Sequence, residues 1–249
     1  MQVQASAADE QDWIREALAE PVRRPCWRVW RYRTPAIVLG LSQRRLREAV
    51  AVRAGSSLPV LVRASGGGAV LVGPWMVSVT VVLPVRHRLA EGALVDSYRW
   101  LGELHARVLR RFGVETRLLQ PQALREGDAG PAGTAPLPWA CFGALSPWEL
   151  VDDEGRKLCG LAQQRRANGI ALVAGTLMRR PPWPVLCEAL DRSEDLDALT
   201  RRTTDCAALG ARGATVDAPD EAHERFAAAL AASFDAALAR ALAPEDATG

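Results

Sequence analysis

Lysine is nearly missing from this chain: its 31 basic residues divide into 30 arginines and one lysine, Lys157. On a solvated surface the two exchange freely, so an arginine-biased chain that keeps one lysine points to a place needing a compact ammonium. No apolar run reaches the roughly 18 residues of a membrane span, and the N-terminus lacks the basic-then-apolar order of a signal peptide. Those absences exclude a membrane partner and predict a soluble, cytoplasmic protein. The five cysteines, Cys26, Cys141, Cys159, Cys187 and Cys206, are odd in number and contain no CxxC pair. Free thiols are therefore expected, and any special cysteine is catalytic. His87, His105 and His223 are isolated and form no HExxH pair, so no metal site is expected. A net charge of +2 is too small to imply a nucleic-acid partner.

What is present is an α/β (α+β) pattern. A helix is expected at 8–19, strands at 27–32 and 36–41, a helical stretch at 43–54, and strands at 58–64 and 77–83. Leu101, Leu104, Val108, Leu109 and Phe112 share one face of a helix over Val95–Phe112, closed by Gly113. Residues 120–138 are rich in Gly, Pro and Ala and read as a long surface loop. Strands at 148–153, 156–165 and 169–178 form a meander that carries Lys157. Phe226, Leu230, Phe234 and Leu238 then recur every four residues along a helical tail. The expected architecture is a mixed, largely antiparallel sheet with packed helices. Residues 1–181 form the catalytic domain, and 182–249 form a small helical C-terminal appendage packing on it.

Three segments carry chemistry. In Arg63-Ala64-Ser65-Gly66-Gly67-Gly68-Ala69, three glycines remove side chains so that a ligand lies against the backbone, with Arg63 adding charge-assisted bonds to an anion. The bland alternative is a flexible hairpin turn. In Lys157–Arg165, strand alternation puts Cys159 and Leu161 on the face of Lys157, and Leu158, Gly160 and Ala162 on the other. The bland alternative there is a solvated lysine on an edge hairpin. In Trp139-Ala140-Cys141-Phe142, the thiol is an inert buried cysteine unless a positive charge lies beside it, and Lys157 is the available source.

Together these segments resemble the lipoate-protein ligase and octanoyltransferase family, within the biotin/lipoate protein ligase superfamily. RASGGGAV is similar to its RRxSGGGAV signature, and GRKLCGLAQQRRANGIALVAGTL to its GKKIxGSAQxRxxGxxLxHGTL segment. WRVWRYRTPAIVLGLSQ resembles the opening strand pair, and DSYRWLGELHARVLRRFGV the central helix. ACFGALSPWEL looks like the ACFxxxSxYE segment of cysteine-dependent octanoyltransferases. The resemblance implies a biotin/lipoate ligase-like fold and catalytic roles for Lys157 and Cys141. It implies substrate binding by Arg63, Ser65, Gly66, Gly67, Gly68, Ala69, Gly160, Ala162, Gln163 and Gly175, with Lys157 on the acyl carbonyl or phosphate. Gln163 and Arg165 would support the strand.

The implied reaction moves an octanoyl or lipoyl group to a lysine of lipoyl-domain proteins through a Cys141 thioester. Glycine-cleavage H protein is a further acceptor, acyl carrier protein is a donor, and no cofactor is needed. The alternative is an ATP-dependent ligase using ATP with Mg2+ and lipoate. A third reading, a non-catalytic relative that binds acyl groups or lipoyl domains, is motivated by departures from the family pattern. These are Leu161 for its serine, Ala174-Gly175 for its HG, and no histidine in LVGPW.

Overall fold

The computed structural model describes residues 2–126, 130–217 and 219–243. Its strands are β1 Gln2–Ala5, β2 Cys26–Tyr32, β3 Ala36–Leu39, β4 Val60–Val62, β5 Val70–Val72 and β6 Met76–Leu83. They continue with β7 Arg117–Leu118, β8 Leu150–Val151, β9 Lys157–Arg166 and β10 Gly169–Leu177. The helices are α1 Ala7–Ala17, α2 Arg47–Ala54, α3 Arg99–Arg111, α4 Pro121–Glu126, α5 Trp183–Ala189, α6 Leu196–Arg201 and α7 Asp220–Ala241.

A seven-stranded sheet runs β1-β2-β6-β10-β9-β8-β7, and a three-stranded sheet runs β4-β3-β5. Only β1-β2 and β3-β4 pair in parallel, which agrees with the expected mixed, largely antiparallel character. β6 sits between β2 and β10, and all eight of its residues are buried. A run rich in valine suits that place, because a strand covered on both faces has no need to alternate apolar with polar.

α1 starts at Ser6, whose hydroxyl accepts from the Asp9 amide while the Asp9 carboxylate accepts from the Ser6 amide. The capped helix turns Ala7, Glu10 and Ile14 inward onto the sheet. α3 buries Leu101, Leu104, Val108 and Leu109, while Gly113, with φ of +80°, turns the chain out of the helix.

Several elements differ from the sequence expectation. The chain makes two sheets, because β5, which no alternation marks, closes the small one beside β3. β1 and β7 are edge strands of 4 and 2 residues, too short to show a pattern. The expected strand at 148–153 shrinks to Leu150–Val151, and the expected long loop contains α4. Residues 127–129 of that loop, like 244–249 of the tail, lie outside the described residues.

Residues on both sides of position 181 share one hydrophobic core: Trp183, Leu186, Phe226, Leu230 and Phe234 pack in the same cluster as Val29, Val79 and Leu172. The backbone joins them as well, since Lys157 donates to the Arg202 carbonyl at 2.8 Å and Thr204 donates to the Lys157 carbonyl at 3.0 Å. Among the described residues no helix is long and apolar enough to cross a membrane.

Candidate active site

A mostly apolar cavity lies between the large sheet, the small sheet and α1. The large sheet contributes Met76 and Ser78 from β6, Ala171, Val173 and Gly175 from β10, and Gly160, Leu161, Ala162 and Gln163 from β9. Val38, Val70, Val72 and the Arg63–Ser65 segment form the opposite wall, and Glu10, Ile14 and Tyr32 line it from α1 and β2. Cys141 and Phe142 complete the lining.

Lys157 is 1% exposed and sits directly behind Cys141 and Phe142. Its ammonium donates to the carbonyls of Cys141 at 2.7 Å and Ala144 at 3.0 Å, and pairs with Glu149 Oε1 at 2.7 Å. Those three partners match the three donors of an ammonium, which a planar guanidinium cannot reproduce in the same space. The lysine therefore clamps the turn that presents Cys141. It reaches that turn through a bulge: Leu150 faces Cys159 while the next residue, Val151, faces Lys157.

The bulge overturns the simple alternation expected from sequence. Lys157 ends on the side of Gly160, because a Cβ built on Gly160 would lie 3.1 Å from Lys157 Cε, 3.5 Å from its Nζ and 3.7 Å from Cys141 Sγ. Ammonium and thiol thus flank one point above a residue that has no side chain to separate them.

Glu149 is the residue that sequence reading passed over. It is 1% exposed, and beyond Lys157 it accepts from the Leu161 amide at 3.1 Å and the Ser146 amide at 2.8 Å. Burial pushes its carboxyl above the usual range, while Lys157 and the two amides pull in the opposite direction. The residue before it, Trp148, has φ of +66°, a left-handed conformation that a bulky side chain rarely adopts. The Trp148 amide is held by the Leu119 carbonyl at 2.7 Å. The available sequence signal was the acidic residue of PWEL, set among apolar neighbours.

The glycine turn has a packing role beside the ligand cradle expected from sequence. Gly66 and Gly67 face outward, Gly68 and Ala69 are buried, and none of the four lines the cavity, whereas Arg63, Ala64 and Ser65 do. Arg63 braces the turn through the carbonyls of Gly66 at 2.9 Å and Gly68 at 2.8 Å, and reaches the Val38 carbonyl at 3.3 Å. Gly68 lets another strand of backbone approach, since a Cβ there would meet the Trp139 carbonyl at 2.6 Å. Ala69 then donates to the Trp139 carbonyl at 2.7 Å, and Cys141 donates to the Ala69 carbonyl at 2.8 Å. Gly68 and Ala69 thus hold the backbone that carries Cys141.

Gly160, Ala162 and Gly175 line the cavity. Gln163 also points across β9, donating to the Leu94 carbonyl at 2.7 Å and accepting from Ser97 at 3.2 Å and Arg165 at 3.2 Å. Of the five thiols, Cys141 is the one on the cavity wall. Burial pushes Cys159 up to about 12 and Cys187 up to about 11, and it raises Cys206 and Cys26 too. Among the described residues no cluster of three metal-ligating side chains occurs.

A model of the lipoyl protein ligase A/B catalytic domain matches residues 5–192. Two curated relatives named Octanoyltransferase LipM, from Exiguobacterium sp. and Kyrpidia tusciae, are 32% and 30% identical to this chain. The alignments cover 84% and 90% of this chain and 76% and 79% of theirs. A solved bi-partite lipoate protein ligase of Thermoplasma acidophilum, studied with its lipoyl domain, superposes with a TM-score of 0.57 over 96% of this chain and 81% of its own, at 14% identity. That likeness shows the fold.

Proposed function

We propose a reaction from one premise: this chain belongs to the lipoyl protein ligase A/B catalytic domain family, whose enzymes attach lipoyl or octanoyl groups to proteins. The reaction is acyl transfer through a thioester on Cys141, with lipoyl-domain proteins as acceptors. An acyl carrier protein is the donor, and glycine-cleavage H protein is a further acceptor. One observation carries the mechanism: the Cys141 thiol and the Lys157 ammonium flank a single point above Gly160, at the wall of an apolar cavity.

The acyl chain enters the cavity with its carbonyl at Cys141. The sulfur attacks the donor thioester, the bond to the carrier's sulfur breaks, and that sulfur leaves with the proton given up by Cys141. The acceptor's neutral lysine amine then attacks the acyl-Cys141 carbonyl. An amide forms, the carbon–sulfur bond breaks, and the amine's proton returns to Cys141. Lys157 lowers the charge cost of both additions, because a fixed ammonium near the sulfur stabilises negative charge as it develops. Its bonds to the Cys141 and Ala144 carbonyls hold the nucleophile in place meanwhile.

Intact-mass spectrometry of the enzyme with octanoyl-carrier protein tests this route. The expected result is one octanoyl adduct on the wild type, none on Cys141→Ala, and no transfer by that variant to a lipoyl domain. If Cys141→Ala transfers octanoyl, or if iodoacetamide labels Cys26, Cys187 or Cys206 ahead of Cys141, the thioester route is wrong. The ATP-dependent ligase, which needs no cysteine nucleophile, then becomes the better reading.

A further inference from the structure

Across the cavity floor, away from Cys141, the sheet changes character. Ser78 on β6 is in register with Gly175 on β10, which is in register with Gly160 on β9. Two glycines followed by a serine make a path across the strands from Cys141 inward. Ser78 is where Glu10 of α1 reaches the sheet: its carboxylate accepts from Ser78 Oγ at 2.9 Å, Thr80 Oγ1 at 2.7 Å and Tyr32 Oη at 2.6 Å. Trp30 Nε1 in turn donates to Thr80 Oγ1 at 3.1 Å. Glu10 is 4% exposed, and it lines the same cavity as Cys141.

We propose that Glu10, with Ser78 and Tyr32, is the end wall of the acyl channel and sets the chain length the enzyme accepts. The inference rests on the acyl-transfer reading above. Neighbouring strands lie about 4.8 Å apart, so the path from Gly160 to Ser78 is about 10 Å. A fully extended chain advances about 1.2 Å per single bond, so that path holds about eight bonds, the span from a thioester sulfur to the eighth carbon. An apolar side chain at that wall would swing aside for a longer substrate. Glu10 is held by three hydroxyls, and moving it breaks those bonds and strands polar groups. Extra methylenes would also be pressed against a polar surface.

Calorimetric binding of free octanoate and decanoate reads the channel without turnover, while adduct formation on Cys141 reads the transfer mechanism separately. The wild type is expected to favour octanoate over decanoate at least tenfold, and Glu10→Ala to reduce that preference below threefold. A loss of stability alone does not change such a ratio. Gly175→Val tests the path from its middle and guards against failure of Glu10→Ala to fold. Its new side chain meets the movable Met76 thioether, whose sulfur lies 3.1 Å from a Cβ built there. Octanoate affinity is expected to fall at least tenfold in that variant, and pentanoate affinity less. An unchanged chain-length ratio in folded Glu10→Ala, or wild-type octanoate binding by Gly175→Val, overturns the proposal even if Cys141 acylates normally. Normal chain-length selection without acylation of Cys141 would instead remove the thioester route alone.

Discussion

Two buried glutamates lie near Cys141, Glu149 beyond Lys157 and Glu10 on the cavity lining, and their partners differ in kind. Glu149 meets the Lys157 ammonium at 2.7 Å and two backbone amides. Glu10 meets three hydroxyls, from Ser78, Thr80 and Tyr32. An ion pair in a dry interior is tightly coupled, since removing either partner leaves a lone charge that the surroundings cannot solvate. A carboxylate held by hydroxyls belongs to a network whose members can lose one bond and rearrange. The first arrangement places a fixed positive charge near the Cys141 thiol, which the proposed route uses as its nucleophile. The second builds a wall where only shape and rigidity matter.

The largest expected effect breaks the ion pair. Lys157→Ala leaves Glu149 buried and unpaired and should cost about 3–5 kcal/mol of stability in chemical denaturation. Transfer should fall at least about 10²–10³-fold in the same variant. Lys157→Arg should lose transfer comparably, because the guanidinium cannot bond the two carbonyls and Glu149 in one geometry. Near-normal turnover in the arginine variant would remove Lys157 from the mechanism.

The two arrangements were unequally legible in the sequence. Lys157 stood out as the sole lysine, and Cys141 came with it through the order of three motifs. Glu149 and Glu10 did not, because an acidic residue in a sequence reads as solvated until its partners are known. Glu10 left a faint trace: with Ala7 and Ile14 it falls at the i, i+3, i+7 spacing of the buried face of α1. The glycine turn was legible only in part, because three glycines signal close approach without saying what approaches. At Gly68 it is the backbone of Trp139. The bulge at Leu158 was also beyond reach, since it arises from the pairing of β9 with β8 and not from local alternation.

A third buried titratable group, His105, belongs to neither arrangement and separates acid sensitivity of the core from that of the site. Its Nδ1 donates to the Leu101 carbonyl at 2.7 Å, its ring lies 4.3 Å from that of Phe234, and burial lowers its pKa to about 4. The unfolded chain takes up a proton near the usual 6.5 while the fold does not, so stability is present above that value and lost as pH falls toward 4. Between pH 7 and pH 5 the loss from this group should be about 2 kcal/mol. His105→Leu, followed by urea denaturation at both values, should remove most of that difference. An unchanged pH dependence would assign the acid sensitivity to a group other than His105; Glu149 is not one, because its raised carboxyl favours the fold as pH falls.

The smallest expected effect sharpens the comparison most directly, because the same substitution is made at both glutamates. In Glu149→Gln the Lys157 ammonium keeps two carbonyls but loses its counter-charge in the interior, so the loss should approach the ~3 kcal/mol lower bound for a broken buried pair. In Glu10→Gln the amide oxygen still accepts from Ser78 and Thr80, and the amide nitrogen donates to the Tyr32 oxygen once that hydroxyl turns. The weaker bonds of a neutral acceptor are offset by no longer burying a charge, leaving a net change below about 1 kcal/mol. Parallel urea titrations of the two variants at pH 7 measure both quantities under one condition. Equal losses would mean that Glu10 depends on an ionic partner as Glu149 does. The contrast between an ion-paired glutamate and a hydroxyl-bound one would then have to be abandoned.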